Sequence, residues 1–305
     1  MNFSGLLAAI PGAISQGILW GVMALGVYTT YRILNTSDLT VDGSFATGGC
    51  VAAVCLVNGI GPILSLVIAM IAGMLAGAVT GFLHTRCEIP AILAGILTQL
   101  GLYSVNLRIM GRSNTPLLKV ETMFSKAHDL IQLPSQYVGI IIGVVIVVVI
   151  VGLMYWFYGT EIGSAIRATG NNEKMVCSLA VNTKMTKMLG FMIANGLVAL
   201  SGALIAQSQG YADVKQGTGA IVIGLASIII GEVVCGKKGH FMYRLSSIVL
   251  GSILYRVVVA LVLQMGLSTD DLKLLTAVLV AIALTVPVMI EKRNQRNRYR
   301  ANIGG

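Results

Sequence analysis

Long apolar stretches separated by short polar segments dominate this chain of 305 residues. A helix needs about 20 apolar residues to cross the hydrocarbon core of a bilayer, and such stretches recur along the whole chain. The clearest runs from Val138 to Met154 and contains no charged or amide side chain. The pattern predicts an all-α polytopic membrane protein with about nine transmembrane helices. The expected spans cover residues 12–33, 44–57, 62–84, 90–110, 136–158, 186–208, 218–234, 245–264 and 273–290.

Two of these spans are short or broken. The first follows the polar segment Asn35–Asp42 (NTSDLTVD). Gly43 and Ser44 then open an apolar helix of about 14 residues, which is roughly 21 Å long and cannot cross about 30 Å. A similar interruption surrounds Gln209–Gly217, where Thr218 is the residue expected to cap the next helix. Non-helical backbone at membrane depth occurs only where it is buried in protein or lines a wet cavity.

These two interruptions predict a translocation path. Half-helices present free N–H groups and a positive dipole end, which can bind polar solutes. The alternative interpretation is that both breaks are ordinary interfacial caps, with the carboxylates of Asp38 and Asp42 exposed to water. The pathway candidates at the breaks are Asp42, Gly43, Ser44, Gly217 and Thr218.

Two short motifs recur late in the chain at nearly equal offsets. Gly21–Gly26 (GVMALG) resembles Gly196–Ser201 (GLVALS), and Gly43–Ala46 (GSFA) resembles Gly217–Ala220 (GTGA). Five predicted spans separate the copies, and because this number is odd, equivalent helices would cross the membrane in opposite directions, as in transporters with inverted repeats. The motifs therefore predict an inverted repeat with halves at about residues 12–158 and 186–290.

Polar side chains also occur inside predicted spans. Gln99, Tyr103 and Asn106 fall at i, i+4 and i+7 on one helical face, where they either line the pathway or hydrogen-bond to neighbouring helices. Arg256 lies well inside its span, and a charge at that depth is by default a functional hypothesis. It could bind a solute carboxylate, pair with Asp42, or extend towards the interface.

The charge distribution predicts the orientation. Only 11% of residues are charged, against roughly 25% in soluble domains. The net charge of +9 sits in short clusters without interleaved aromatics, so no nucleic-acid partner is expected. With the N-terminus outside, most basic residues fall on one side, which the positive-inside rule identifies as the cytosol. The C-terminus follows on that side, and Glu232 is expected there as a partner of Lys237 or Lys238. The basic residues of that side are Arg32, Arg86, Arg167, Lys174, Lys184, Lys187, Lys237, Lys238 and Arg244, with a basic tail within residues 291–305.

The polar connection at residues 159–187 predicts two short cytosolic helices. Thr160 can cap the first, Gly170 fits the left-handed residue that would end it, and Asn171 or Asn172 can cap the second. Each helix has an apolar face too small to be stable alone in water, so the segment needs a partner to pack on. The two faces comprise Ile162, Ala165 and Ile166 on the first helix and Met175, Val176 and Leu179 on the second.

This connection resembles the cytosolic loop of ABC importer permeases in the branched-chain amino acid and ribose permease superfamily. The similarity extends to most of the chain and is greatest to the branch of tryptophan- and tyrosine-type importers, although Ser37 and Asp38 depart from the family pattern. The loop pattern G-x-A-x-R-A-x-G-x-N is formed by Gly163, Ala165, Arg167, Ala168, Gly170 and Asn172. Further similar segments lie at Asn35–Phe45, Gly101–Gly111, Asn195–Val214, Ile221–Glu232 and Asp271–Leu284.

The resemblance implies a single transmembrane permease domain, residues 1–305, in a bacterial cell membrane. It implies partners: two ATPase subunits that bind ATP and Mg, a second permease copy in a homodimer, and an extracytoplasmic binding protein. Residues 159–187, including Asn171, match the segment that couples to the ATPase. The implied solute is an amino acid or a similar small polar molecule, with aromatic amino acids as candidates. The chain has no GxxxxGK[ST] phosphate loop, so no cofactor is expected on it.

A secondary transporter or channel that works without an ATPase is the main alternative. It would also account for inverted repeats and broken helices, but the scarcity of buried carboxylates and the two-helix loop argue against it. An intramembrane enzyme would need a nucleophile or metal constellation. The histidines at 84, 128 and 240 are far apart in sequence and the cysteines lack metal-binding spacing, so neither enzymatic activity nor a metal site is expected.

Overall fold

The computed structural model describes residues 3–118, 120–131, 134–236 and 239–264, with isolated positions farther along the chain. Ten of the 18 residues of the predicted ninth span, 273–290, lie outside the described residues, and so does the predicted basic tail at 291–305. The helices are α1 (Phe3–Tyr28), α2 (Val41–Val57), α3 (Pro62–Thr85), α4 (Ala91–Met110), α5 (Met123–Ile131), α6 (Ser135–Gly159), α7 (Glu161–Asn171), α8 (Glu173–Ser178), α9 (Thr183–Gln209), α10 (Ala220–Cys235) and α11 (Phe241–Gln264). A turn of π-helix (Thr29–Ile33) extends α1, and two short strands, β1 (Asn114–Pro116) and β2 (Tyr211–Asp213), pair antiparallel.

Six of the described helices are long and apolar enough to cross a membrane: α1, α3, α4, α6, α9 and α11. They coincide with six of the predicted spans. Helices α2 and α10 are apolar but have only 17 and 16 residues, which at 1.5 Å per residue is about 25 Å of helix. The protein is therefore an all-α polytopic membrane protein in which two short helices accompany the full-length ones.

The strand end is the face of the bundle where β1 and β2 pair. There the Gln207 side chain, near the end of α9, ties α3 and α5 together. Its Nε2 donates to the Pro62 carbonyl oxygen at 3.2 Å, and its Oε1 accepts from the Met123 N–H at 2.9 Å. The starts of α3 and α5 and the end of α9 are thus fixed on one side of the bundle.

The loop end is the opposite face, where the π turn, the connection at residues 86–90 and helices α7 and α8 meet. Lys184, at the start of α9, pairs with Glu88 at 3.6 Å. The predicted cytosolic basic residues that the structure describes belong to elements that meet at this end, while Lys237 and Lys238 lie outside the described residues. These residues are Arg32, Arg86, Arg167, Lys174, Lys184, Lys187 and Arg244.

The core is built on the antiparallel crossing of α1 and α9. Ser201 Oγ donates to the Leu19 carbonyl oxygen at 2.8 Å, and a Cβ added at Gly26 would lie 2.7 Å from the Ala194 carbonyl oxygen. Helix α11 packs along α1, and α3 packs along α9. Small residues allow this close approach of backbones, which replaces the hydrophobic effect as the basis of helix association in lipid.

Candidate functional site

The two short helices meet at their N-termini. Asp42, in the first turn of α2, accepts hydrogen bonds at the start of α10: Oδ2 from the Gly219 N–H at 2.8 Å and Oδ1 from the Ile221 N–H at 2.9 Å. A carboxylate at this position satisfies free N–H groups and complements the positive end of the helix dipole. The prediction that Thr218 caps this helix is wrong, because Gly219 occupies the cap position with φ +85° and Asp42 supplies the capping oxygen atoms.

Asp38 fixes the N-terminus of α2 through a buried polar network. The side chain is 2% exposed. Its Oδ1 accepts from the Thr40 N–H at 2.9 Å and its Oδ2 from Asn195 Nδ2 at 2.7 Å. Ser44 Oγ donates to Asn195 Oδ1 at 2.6 Å, which ties the first turn of α2 to the middle of α9. The alternative in which these residues are solvated is therefore wrong for Asp38, whereas Asp42 is half-buried and does cap a helix, α10.

Glycines let the junction of the two short helices close tightly. A Cβ at Gly217 would collide with the Asp42 carbonyl oxygen, and a Cβ at Gly43 would lie 2.9 Å from Leu102 Cδ1 and 3.1 Å from Gln99 Cα. The structure therefore brings together most of the pathway residues predicted at the breaks, with Gln99 beside them. We refer to Asp38, Asp42, Gly43, Ser44 and Gly217 as the half-helix junction.

The polar residues predicted on one face of α4 do not share one environment. Gln99 is half-buried beside Gly43, and Tyr103 is 44% exposed. Asn106 is 1% exposed, and neither of its amide atoms has a hydrogen-bond partner among the described residues. The predicted face therefore divides into one residue at the junction, one on the outer surface and one inside.

Arg256 lies away from the junction. Its guanidinium carbon is 4.2 Å from the centre of the Trp20 ring, and its Nη1 is 3.5 Å from Gln16 Oε1. A cavity of about 210 Å³ between α1 and α11 borders it. The predicted pairing of Arg256 with Asp42 is wrong, since the Asp42 carboxylate is bound by the backbone of α10.

The connection at residues 159–187 forms two helices, as predicted. Thr160 caps α7 by accepting from the Gly163 N–H at 3.3 Å, and Asn172 caps α8 by accepting from the Met175 N–H at 3.1 Å. Gly170 does not end α7, since the helix continues to Asn171. The prediction of a left-handed Gly170 is wrong, and its role is steric: a Cβ there would collide with the Ile33 carbonyl oxygen at the end of the π turn.

Helix α7 and the helices around it contact the π turn at several points. Tyr158 Oη, at the end of α6, donates to Thr29 Oγ1 at 3.3 Å, and its ring packs edge-on against Phe241 at 5.5 Å. The Arg167 guanidinium lies over the same Phe241 ring at 5.2 Å. A displacement of α7 would therefore act on the π turn, and Ile33 is followed within a few residues by Asp38 of the half-helix junction.

Two further ion pairs lie at the loop end, besides Lys184–Glu88. Glu232, near the end of α10, binds Arg32 of the π turn with both oxygens, one of them at 2.9 Å from Nε. The predicted partners of Glu232, Lys237 and Lys238, lie outside the described residues, and the partner that the structure shows is Arg32. Lys187 Nζ lies 2.7 Å from Glu173 Oε1, and this hydrogen bond holds the pKa of the Glu173 carboxyl below its usual range.

We refer to residues 161–179, which comprise α7, α8 and Leu179, as the α7–α8 unit. Half of the six apolar side chains predicted to form its two faces are exposed. Ile166 and Val176 are 0% and 2% exposed and anchor the two helices. The predicted apolar faces are therefore split between an internal contact and an outer surface. The exposed members are Ile162 at 54%, Met175 at 49% and Leu179 at 67%.

Comparison with known proteins identifies the class of this chain. Residues 9–286 match the family described as branched-chain amino acid transport system / permease component. The chain belongs to this family. It is 37% identical over 293 residues to a tyrosine transport system permease protein of Clostridioides difficile, with 95% of this chain and 96% of the relative covered. The resemblance found in the sequence is thus confirmed.

More distant relatives extend the comparison. The permease is 25% identical to a ribose import permease protein of Escherichia coli K12, over 78% of this chain and 74% of the relative. The structure of PsaBC from Streptococcus pneumoniae in complex with Fab matches it with a TM-score of 0.52 at 14% identity, covering 92% of this chain and 94% of that one. The match to the PsaBC structure shows a likeness of fold. The relatives of this chain by sequence are transport permeases and not enzymes.

Sequence inspection of this permease missed three elements of the site. Asn195 was noted only as part of a matching segment, although it joins Asp38 to Ser44. The π turn left no signal, because its residues, TTYRI, continue from α1 without a glycine or proline that would mark a change of helix type. The Arg32–Glu232 pair joins residues 200 positions apart. An acidic residue at the end of a span is a hint that a basic partner lies at the same depth.

Proposed function

We propose that this permease is the membrane-spanning subunit of an ATP-driven importer of amino acids. Two ATPase subunits supply ATP hydrolysis with Mg, a second identical copy completes the pathway, and an extracytoplasmic binding protein delivers the solute. The family assignment and the name of the tyrosine permease relative support this proposal. No cofactor binds to this chain in the proposed mechanism.

The observation that carries the proposal is the exposed apolar surface of the α7–α8 unit. Ile162, Met175 and Leu179 project from a unit that is already anchored by its buried side chains. A subunit that hydrolyses ATP elsewhere can drive this chain only through contacts that differ between its states. The α7–α8 unit offers such a contact surface and packs directly on the π turn through Gly170.

Binding of the ATPase tests this surface. The change Met175→Glu combined with Leu179→Glu places charges on the proposed interface and should abolish co-purification of the ATPase subunits from detergent. Leu118→Glu is the matched control, because Leu118 is 89% exposed at the strand end. Full retention of the ATPase by the double variant, at control levels of expression, would contradict the proposal.

The solute pathway is proposed to run beside the half-helix junction. Backbone contacts close the junction in this structure, so Gln99 and Thr218, which flank Gly43 and Gly217, and the exposed Tyr103 are the side chains that a passing solute would meet. Asn106 and Arg256 belong to the pathway only if the helices rearrange. Two outcomes of a Gln99→Ala change distinguish the roles: a lower apparent affinity for the solute supports contact, and unchanged uptake contradicts it.

An inverted repeat is proposed for the permease, with α1 to α3 related to α9 to α11. The crossing contacts support it, because the offset between Gly21 and Gly196 also relates Leu19 to Ala194 and Gly26 to Ser201. The pair Gly26–Ala194 and the pair Leu19–Ser201 therefore exchange under the repeat. Equal loss of uptake from Gly26→Leu and Ser201→Leu is expected, and a loss confined to one of them would contradict the symmetry.

The orientation proposed has the N-terminus outside and the loop end, with the C-terminus, in the cytosol of a bacterial cell. The collection of basic residues at the loop end supports it. In a variant without native cysteines, a cysteine at Ser113 should react with an impermeant thiol reagent in intact cells, and one at Asn171 should not. The reverse labelling pattern would invert the assignment.

Aromatic amino acids are the proposed solutes, on the strength of the tyrosine permease relative. Uptake of radiolabelled tyrosine or tryptophan into proteoliposomes with the complete importer should be competed by the other aromatic amino acid and not by ribose. Transport of ribose and not of tyrosine or tryptophan would contradict this proposal and indicate a sugar as the solute.

Ion-driven transport without an ATPase is the alternative, and the buried Asp38 carboxylate is the observation in its favour. Solute uptake is measured with the permease alone in proteoliposomes, with sodium and proton gradients and without ATP. This measurement distinguishes ion-driven from ATP-driven transport. Solute accumulation under those conditions would replace the proposed function with the alternative.

A further inference from the structure

A cavity of about 510 Å³ lies at the loop end, between the end of α6, helix α7 and the start of α11. It is distinct from the half-helix junction and from the exposed apolar residues of the α7–α8 unit. Its lining combines aromatic rings with polar and basic groups, including Tyr155, Trp156, Thr160, Arg167, His240 and Phe241.

The exposed apolar surface of α6 ends beside this cavity. Val144, Val148 and Leu153 are 45%, 63% and 59% exposed on a helix that carries no charged side chain. Tyr155 and Trp156, at 51% and 68% exposed, end this surface. Aromatic residues at the end of a lipid-facing helix surface are typical of the headgroup level of a bilayer. The cavity therefore opens at the depth of lipid headgroups.

The polar groups of the cavity fit a phosphate. Arg167 holds its guanidinium over the Phe241 ring, and His240 belongs to the same lining, whereas the Thr160 hydroxyl is already bonded to the Phe157 carbonyl oxygen and the Gly163 N–H. Among the described residues that line the cavity, none is acidic. Arginine binds phosphate through several N–H groups at once. The packed rings of Phe241 and Tyr158 give the cavity an apolar wall suited to the glycerol region of a lipid.

We propose that this cavity binds the headgroup of an anionic phospholipid, with the acyl chains lying along the exposed face of α6. The occupant is a lipid and not a soluble anion, because the aromatic belt places the phosphate-binding groups at the edge of the bilayer. The inference depends on the membrane location of the permease and not on its solute, so its failure would leave the proposed function untouched.

Trp156 is a built-in probe of this site. It is one of two tryptophans, and the other, Trp20, is 6% exposed. The full-length permease is reconstituted in phosphatidylcholine bilayers, and brominated phosphatidylglycerol or brominated phosphatidylcholine is added at equal amounts. Bromine on the acyl chains quenches tryptophan only when a lipid lies beside it. Phosphatidylglycerol should quench more strongly, with an apparent preference of about fivefold, the value expected for one basic residue near a membrane surface.

Variants assign the preference to the cavity. Trp156→Phe should remove the selective quenching, and Arg167→Gln should reduce the preference to near unity. Arg86→Gln is the matched control, because Arg86 is a basic residue of the same end outside the cavity lining, and it should keep the preference. Equal quenching by the two lipids, or an equal loss of preference with Arg86→Gln, would overturn the proposal. So would disappearance of the selective quenching when the ATPase subunits are bound, since protein would then occupy the cavity.

Discussion

The half-helix junction and the α7–α8 unit differ in what each leaves unsatisfied. At the junction, the Asp38 and Asp42 carboxylates have backbone or side-chain donors, and the short helices approach until glycine is required. The α7–α8 unit is anchored by Ile166 and Val176 and exposes apolar side chains. The polar groups of the first region are paired within one chain, while the second region leaves apolar side chains exposed to a partner in the proposed complex.

In the proposed mechanism, energy enters the permease at the α7–α8 unit and is used at the half-helix junction. A closed junction needs work to open, and the α7–α8 unit is where a partner can supply it. The π turn lies between them, with Gly170 packed on Ile33 and Asp38 a short distance farther along the chain. Turns of π-helix occur often at functional sites, and this one is placed to pass a displacement of α7 to the junction.

The largest effect is expected from breaking the junction at Asp38. Asp38→Leu leaves the Thr40 N–H without its acceptor and removes one of the two acceptors of Asn195 Nδ2, which keeps the Phe191 carbonyl oxygen. Each buried N–H left unpaired should cost about 1–3 kcal/mol. The variant should unfold in detergent at a markedly lower temperature and lose uptake. Asp38→Asn, which can still accept one of the bonds, should fall between it and the native protein. A native melting temperature for Asp38→Leu would show that the network does not fix α2.

Removing the cap of α10 should have the next largest effect. Asp42→Ala frees the Gly219 and Ile221 N–H groups and should cost about 1–2 kcal/mol, as for other N-caps. Faster amide exchange confined to the first turn of α10 is the expected signature. Asp213→Ala is the control, since the Asp213 carboxylate accepts from the Lys215 N–H in its own turn and from Asn114 Nδ2 in β1, and not from the start of α10. Exchange that rises equally in both variants would contradict the capping role.

These two carboxylates show how far the sequence could predict the site. The short helices, the breaks before them and the two-helix loop follow from local signals, because glycine, N-cap residues and apolar length act over a few positions. The acceptor role of Asp42 and the link from Asp38 to Asn195 join distant segments, and no local pattern encodes such pairings. Gly170 illustrates the same limit: its position near a helix end suggested a turn, whereas tertiary contact with Ile33 determines its role.

Loss of the Arg32–Glu232 pair should change the melting temperature of the permease little. It should have a larger effect on the basal ATP hydrolysis of the complex, because the pair holds α10 against the π turn. Arg32 is 39% exposed on its side chain, and pairs of this exposure contribute about 1 kcal/mol or less. Glu232→Gln should therefore change the melting temperature little while raising basal ATP hydrolysis of the complex, because one tie between α10 and the π turn is lost. Exchanging the charges, Arg32→Glu with Glu232→Arg, should restore the basal rate. If the basal rate of ATP hydrolysis stays high in the charge-exchanged variant, the ion pair does not restrain α10 against the π turn.

The smallest effect is expected from Glu173. Its carboxyl has a pKa below the usual range because Lys187 donates to the charged form, so the stabilisation is present above the ordinary glutamate pKa of about 4.3. It is lost as the pH falls through the lowered value. The protection factors of the α8 amides, which correct for the intrinsic pH dependence of exchange, should therefore be constant at neutral pH and fall in acid, and Glu173→Gln should remove the pH-dependent part. If α8 of the Glu173→Gln variant loses protection in acid to the same extent as the native protein, groups other than Glu173 cause the pH dependence.

The central claim is that α7 passes its displacement to the half-helix junction through the contact of Gly170 with the π turn. The amount of solute transported per ATP hydrolysed by a Gly170 variant tests this claim most directly. Gly170→Val introduces a side chain against the Ile33 carbonyl oxygen, whereas Gly152→Val, the control, places the same side chain in open space on α6. Both variants should insert and retain the ATPase subunits. In proteoliposomes with loaded binding protein, the solute transported per ATP hydrolysed should fall about tenfold with Gly170→Val, within the usual range of coupling free energies, and stay native with Gly152→Val. A native ratio for Gly170→Val would contradict transmission through this contact.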